Sequence, residues 1–318
     1  MKKRMRRKGK NMKKQYISDE AAGLLTLRDP MVLVHDGTYY LTGTQPPYWD
    51  GENAGVRLWS SKDLVHFTDH GLILKREDMP EDMWCRDRFW APELFDGGDG
   101  WFYLTFNCKN KSEKYYYTQS CGLARAKKIT GPYENMTADA PLTKGKDHAN
   151  DAHLFRDDDG TVWFAANIDL LGGQILNKID LSRGELIGEP IFVGGVGEEG
   201  EWDHIGVEGA CIVKRHGIYF HWYSSWTNGY NSGLFTARDI KGPWKKSPQN
   251  PILDDNEIWH KAGHNHSFVG LDGKEYLIFH AFLRAPDGED VPRIFIRRVE
   301  YRADGTVILY DHVGWGEL

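Results

Sequence analysis

Aromatic and β-branched residues occur along this chain in short bursts, each following a turn that ends in glycine, and long helical spacing is not evident anywhere. Five segments share the pattern: HDGTYYLTGT, GDGWFYLTFN, DDGTVWFAAN, RHGIYFHWYS and LDGKEYLIFH. Their glycines, Gly37, Gly100, Gly160, Gly217 and Gly273, stand 63, 60, 57 and 56 residues apart. Each unit carries a second element downstream, namely VRLWSSKDLVHFT, CGLARAKKITGPYE, ILNKIDLSRGEL, SGLFTARDIKGPW and IFIRRVEYRADGTV. These read as a strand, a charged turn and another strand, so each unit supplies about four antiparallel strands.

Such a unit, repeated five times, predicts an all-β chain folded as a five-bladed β-propeller, because radial repetition leaves only short, protected strand edges. The period exceeds the ~40 to 45 residues of WD repeats. A β-sandwich would not require equal spacing, and a parallel β-helix repeats at far shorter intervals. Residues 15–318 are expected to form this single domain and residues 1–14 a basic tail outside it. Residues 15 to 28 could add a strand to the last blade.

Composition narrows the function. Hydrophobic residues make up 40% of the 318 and charged residues 27%, which excludes global disorder. No apolar stretch approaches the ~18 to 20 residues that cross a bilayer, so no membrane partner is expected. The net charge of −6 hides nine Lys or Arg among residues 2 to 14. The remainder, with 31 basic and 46 acidic residues, is about −15 and suits no nucleic-acid surface. The basic tail reads as a solvated arm or an upstream start, and no apolar segment follows it as in a secretory leader, so a cytoplasmic location is expected. Cys85, Cys108, Cys121 and Cys211 show no metal-ligand spacing and read as free, partly buried thiols.

The inner strand of each propeller blade runs along a central channel, so equivalent positions form a ring. One strand before each marker glycine stand Asp29, Glu93, Asp151, Glu208 and His264, at offsets of 8, 7, 9, 9 and 9 residues. An acid at a strand start can merely bond backbone amides. Four carboxylates converging on one axis cost energy unless one is protonated or the chemistry needs them. Glycoside hydrolysis needs them: one acid protonates the departing oxygen, and in the inverting reaction a second carboxylate activates water ~6.5 to 9.5 Å away. A neighbouring carboxylate raises the acid's pKa, which makes three more useful than two.

The ordered set RDP (28 to 30), WAPEL (90 to 94), DAHLFRDDDG (151 to 160), VEGACIVKRHGIYFHWYS (207 to 224) and GHN (263 to 265) resembles glycoside hydrolase family 43 from about Arg28 onward. The resemblance implies a five-bladed propeller acting by inversion on plant oligosaccharides and polysaccharides. It implies Asp29 as general base, Glu208 as general acid and Asp151 as the residue that raises and orients Glu208. The expected activity is that of an exo-acting α-L-arabinofuranosidase or β-xylosidase. An exo-β-galactosidase or galactanase, or a sugar-binding propeller without turnover, is the alternative. No cofactor is required, although several relatives hold a calcium ion in the channel, with His264 the candidate ligand here. Ala152 stands where Pro is common, and His266 where a small residue is usual, leaving open which His faces the channel.

Further substrate contacts are expected from Trp90 beside Glu93 and from Arg293, which the resemblance turns inward. Trp226, Trp49 and Trp202, all in loop-like contexts, are weaker candidates for a sugar face.

Overall fold

The structure, a computed structural model, describes residues 16–17, 26–48, 51–110, 119–146, 148–169, 172–284 and 291–310. The tail at 1–14 and Trp49 lie outside these residues. Five antiparallel sheets follow one another along the chain. Blade one contains Arg28–His35, Thr38–Thr44, Gly55–Ser61 and Phe67–Lys75, paired in chain order from the inside out. The inner strands of the next four are Arg88–Asp96, Ala149–Arg156, Glu208–Arg215 and Trp259–Val269. Each packs against the next, and the fifth against the first, which is the five-bladed propeller the repeat predicts.

The ring closes on the third strand of blade five, Pro292–Tyr301. Tyr16–Ile17 pairs with its Ile294 and Phe295, while Val307–Leu309 pairs with Val299 to Tyr301. Segments from both ends of the chain thus cover one edge. All five marker glycines sit in the turn after an inner strand with φ between 62° and 83°, a region costly for residues with a Cβ.

Strand alternation gives each blade two apolar faces, and the core is correspondingly split into five layers between blades. Val56, Leu58, Phe89 and Phe106 fill the layer between blades one and two. Leu123 and Phe164 serve the next layer, Leu176 and Phe235 the third, Trp222 and Phe279 the fourth, and Trp59 and Ile294 the last. The four cysteines are buried free thiols within this packing, as expected.

Every inner strand carries a β-bulge at the same place, where two residues oppose one on the second strand. Its first residue is Asp29, Ala91, Asp151, Gly209 or His264 in blades one to five, and all five have φ between 41° and 70°. This bulge corrects the ring drawn from glycine offsets. Glu208 stands one residue before its bulge and Glu93 two residues after, so Glu93 belongs to a deeper ring. Counting failed because the turns differ in length, two residues in blades one and four and five residues in the others, and because the offset of 7 at Glu93 falls two short of the 9 that separates the bulge from the glycine in its blade.

The bulges are held by the second strands. Opposite the residue before each bulge lie Thr44, Asn107, Asn167, Ser224 and His280, all essentially buried. Four of them accept the bulge N–H of the following blade: Thr44 from Ala91, Asn107 from Asp151, Ser224 from His264, and His280 from Asp29. At the junction of blades three and four the pattern breaks. Gly209 N–H goes instead to the Asp151 carboxylate, and the Asn167 side-chain oxygen is left without a partner.

Candidate active site

The bulge turns strand backbone into a mouth where Asp29, Asp151, Glu208 and His264 line one cavity of about 230 Å³. Asp29 and Asp151 tolerate the left-handed conformation because a short polar side chain is the least strained choice after glycine. Their carboxylates are fixed from several blades. Thr44 Oγ1 donates to Asp29 Oδ2 at 2.5 Å. Asn107 Nδ2 donates to Asp151 Oδ1, and Gly209 N–H to Asp151 Oδ2, both at 2.7 Å.

His264 Nδ1 lies 3.5 Å from both Asp29 Oδ1 and Asp151 Oδ2. Burial works against a charged imidazole here, but Asp151, Asp29 and Glu208 overcome it and raise the pKa of His264. His280 Nδ1 is also 3.5 Å from Asp29 Oδ1, yet it accepts the Asp29 N–H, so its proton sits on Nε2 and the contact is no ion pair. Burial and the adjacent Arg28 keep that ring neutral.

The three carboxyls are driven apart in acidity. Burial alone would raise Asp29, but His264, Arg28 and the Thr44 hydrogen bond bring it down to about 2. Burial, followed by the charge of Asp151, pushes Glu208 up to about 7. Asp151 is itself raised, by burial and by Asp29. The site therefore holds one firmly ionised carboxylate and one acid protonated near neutrality, the pairing that divides base and acid roles. Glu208 receives Tyr230 Oη–H on Oε1 at 2.6 Å and Asn150 Nδ2 on Oε2 at 3.3 Å.

Beyond Glu208 a second lobe of about 520 Å³ is lined by Trp226, Tyr230, Lys261, Phe282 and His148. Arg28, Gln119, Asn150 and Glu208 line both lobes, so the acid stands between them. A family model for glycosyl hydrolases family 43 matches residues 24–307. The chain belongs to this family. It is a glycoside hydrolase, and the family's reaction proceeds with inversion. Beta-D-galactofuranosidase xynD of Aspergillus niger is 28% identical over 79% of this family 43 chain and 72% of its own length. Xylosidase/arabinosidase 43B of Humicola insolens is 27% identical over 79% of the chain, which spans 46% of that relative. The crystal structure of a thermostable family-43 glycoside hydrolase superposes with a TM-score of 0.78 at 26% identity, covering 94% of this chain and 97% of the other.

The remaining sequence candidates divide. Trp90 lines the smaller lobe, with its indole N–H on Tyr48 O, and Arg88 and Lys109 stand over its ring. Trp226 lines the larger lobe. Glu93 lines neither lobe; it is buried with Oε2 2.6 Å from His153 Nδ1. Arg293 pairs across from Ala281 on the third strand of blade five, donates to Pro292 O and lines neither lobe. Trp202 packs on Tyr223 in the core. Of the two histidines left open, His264 faces the acids, while His266 lies in the deeper ring with its centroid 5.9 Å from His153.

A calcium ion finds no ready oxygen cage at His264. Calcium takes six to eight oxygens, and among the described residues the carboxylate oxygens that approach His264 Nδ1 to 3.5 Å are one each from Asp29 and Asp151. Deeper, His153, Cys211 and His266 place ligand atoms within 4.8 Å of one another. His153 Nε2 accepts Ile212 N–H and its Nδ1 faces Glu93, so neither nitrogen offers a free lone pair. Among the described residues no helix is long and apolar enough to cross a membrane.

Sequence reasoning missed Tyr230, Asn150, Arg28 and the five second-strand polar residues. The last had a visible signal: each is the seventh residue after its marker glycine, closing an otherwise aromatic strand.

Proposed function

We propose that this chain is an inverting, exo-acting glycosidase that releases one pentose, α-L-arabinofuranose or β-xylose, from the end of a plant-derived oligosaccharide. Asp29 takes the proton of the attacking water. Glu208 gives its proton to the leaving glycosidic oxygen, and Asp151 keeps that proton on Glu208 near neutrality. Side chains and water complete this cycle.

The observation that carries the reading is that Asp29, Asp151 and Glu208, from three blades, line a single cavity around His264, in surroundings that push Glu208 up to about 7 and Asp29 down to about 2. Single-sugar release is supported by the smaller lobe, whose 230 Å³ falls below the roughly 300–1,000 Å³ common for ligand sites. The larger lobe suits the leaving group, with Trp226 and Phe282 as apolar faces. Names of relatives support pentosides, and that of the Aspergillus niger relative adds a furanose hexose.

The test is hydrolysis of α-L-arabinofuranosyl, β-xylosyl, β-galactosyl and β-galactofuranosyl oligosaccharides, with the first anomer formed read by NMR. The expected result is one released pentose of inverted configuration. Retained configuration sinks the mechanism, preference for a galactoside replaces the pentose, and binding without release on every substrate favours a sugar-binding propeller.

A further inference from the structure

Glu208 is gripped unequally at its two oxygens. Tyr230 Oη–H donates to Oε1 at 2.6 Å, whereas Asn150 Nδ2 reaches Oε2 at 3.3 Å. Tyr230 is buried and cannot swing away: its ring stacks on His280, with centroids 5.4 Å apart and planes at 22°. Gly263, the cross-strand partner of His280, approaches so closely that a Cβ there would overlap the tyrosine ring. His280 in turn accepts the Asp29 N–H, so a continuous stack links the acid on blade four to the base on blade one through blade five.

A carboxylic acid puts its proton on the oxygen whose lone pairs are less strongly engaged, because the bare carbonyl oxygen is the better acceptor. We propose that Tyr230 is the positioning residue of the acid: by occupying Oε1 it leaves the transferable proton on Oε2, the oxygen beside Asn150, and it fixes that oxygen relative to Asp29. The broken junction supports this assignment. Asn167, which takes no bulge N–H, donates instead to Asn150 Oδ1 at 2.8 Å and so aims the Asn150 amide at Oε2. The inference rests on Glu208 being the general acid.

Tyr230→Phe keeps the ring and removes only the donor. Turnover is compared on an oligosaccharide, whose alkoxide leaving group needs a proton, and on a dinitrophenyl glycoside, which does not. The variant is expected to lose about tenfold on the first substrate and no more than about twofold on the second. Its alkaline pH limb is expected to move upward, because a donor to the ionised form has gone. The groups facing Glu208 that could also move this limb are Asp151, Asp29 and His264, with Arg28 lining both lobes, His148 and Lys261 the larger and Arg88 and Lys109 the smaller. Equal losses on both substrates with an unmoved limb reduce Tyr230 to packing and overturn the proposal. Glu208→Gln is the reference: if it too shows no dependence on leaving group, the acid assignment itself fails, whereas dependence in Glu208→Gln but not in Tyr230→Phe overturns the inference alone. Tyr230→Leu, which also removes the stack, is expected to lose more on the oligosaccharide, and unchanged melting of Tyr230→Phe excludes misfolding.

Discussion

Two rings of side chains occupy the same five inner strands, two residues apart save on blade four, where Glu208 stands three before Cys211, and use the same chemical groups to opposite ends. At the mouth, Asp29, Asp151 and Glu208 crowd around His264, so three acids share one imidazole. In the deeper ring Met31, Glu93, His153, Cys211 and His266 occupy the position two residues past each bulge. There one acid meets one His, and the side chains are tied to the neighbouring blade: Met31 Sδ accepts Leu94 N–H, His153 Nε2 accepts Ile212 N–H, and Cys211 Sγ accepts Ser267 N–H. The lower ring holds blades together, with His266 Nδ1 its one fully buried nitrogen or oxygen left without a hydrogen-bond partner among the described residues. The upper ring has more carboxyls than cations, and that imbalance makes a proton available for transfer.

The contrast breaks first under substitution of the acids. Asp29→Asn and Glu208→Gln are expected to reduce turnover of an oligosaccharide by about 10²- to 10⁴-fold with unchanged circular dichroism. Glu93→Ala in the lower ring should do the reverse. It leaves the Nδ1–H of His153, whose Nε2 already accepts Ile212 N–H, without a partner in a buried site at a cost of about 1–3 kcal/mol, read as a lower denaturant midpoint, while turnover below the melting range changes little. Full activity in either upper variant, or collapse of catalysis with intact stability in the lower one, would erase the distinction.

A smaller effect separates bulge from hairpin. Gly209 has φ of 70°, and an added Cβ would stand 3.2 Å from Ser224 Oγ and 3.4 Å from His264 Cα. Gly209→Ala is therefore expected to cost about 1–2 kcal/mol and to lower turnover about tenfold by shifting the N–H that holds Asp151. Gly160→Ala, in a hairpin with nothing within 4 Å, should cost about 1 kcal/mol and leave turnover intact. Assaying both variants at matched distance below their melting temperatures checks this.

The smallest effect is on stability against pH. The folded-state pKa of Glu208 is raised from 4.5 to about 7, so the native state binds more protons than the unfolded chain between these values. Its contribution is fully present below 4.5 and is lost as pH rises through 7. Glu208→Gln should thus melt a few degrees higher than the parent at pH 8.5, with the gap closing by pH 4.5. For Asp29 the sign is opposite: stability present above 3.8 is lost as pH falls through about 2.

The propeller was legible because marker glycines at hairpin turns cannot easily be replaced, and so record the period directly. Asp29, Asp151 and Glu208 were legible as acids at strand starts. The bulge was not, since an extra residue on one strand leaves no compositional trace and shifts which residues share a layer. Glu93 was therefore placed one ring too high. Tyr230 stood in a loop with no periodic partner, and only folding brings its hydroxyl to Glu208.

The pH dependence of kcat/KM on an unactivated oligosaccharide, measured for the parent and for Asp151→Asn, tests most directly whether crowded charge in the upper ring sets the acid. An alkaline limb near 7 that falls by about one unit or more in Asp151→Asn is the predicted result. A limb that stays in place when that charge is removed would contradict it.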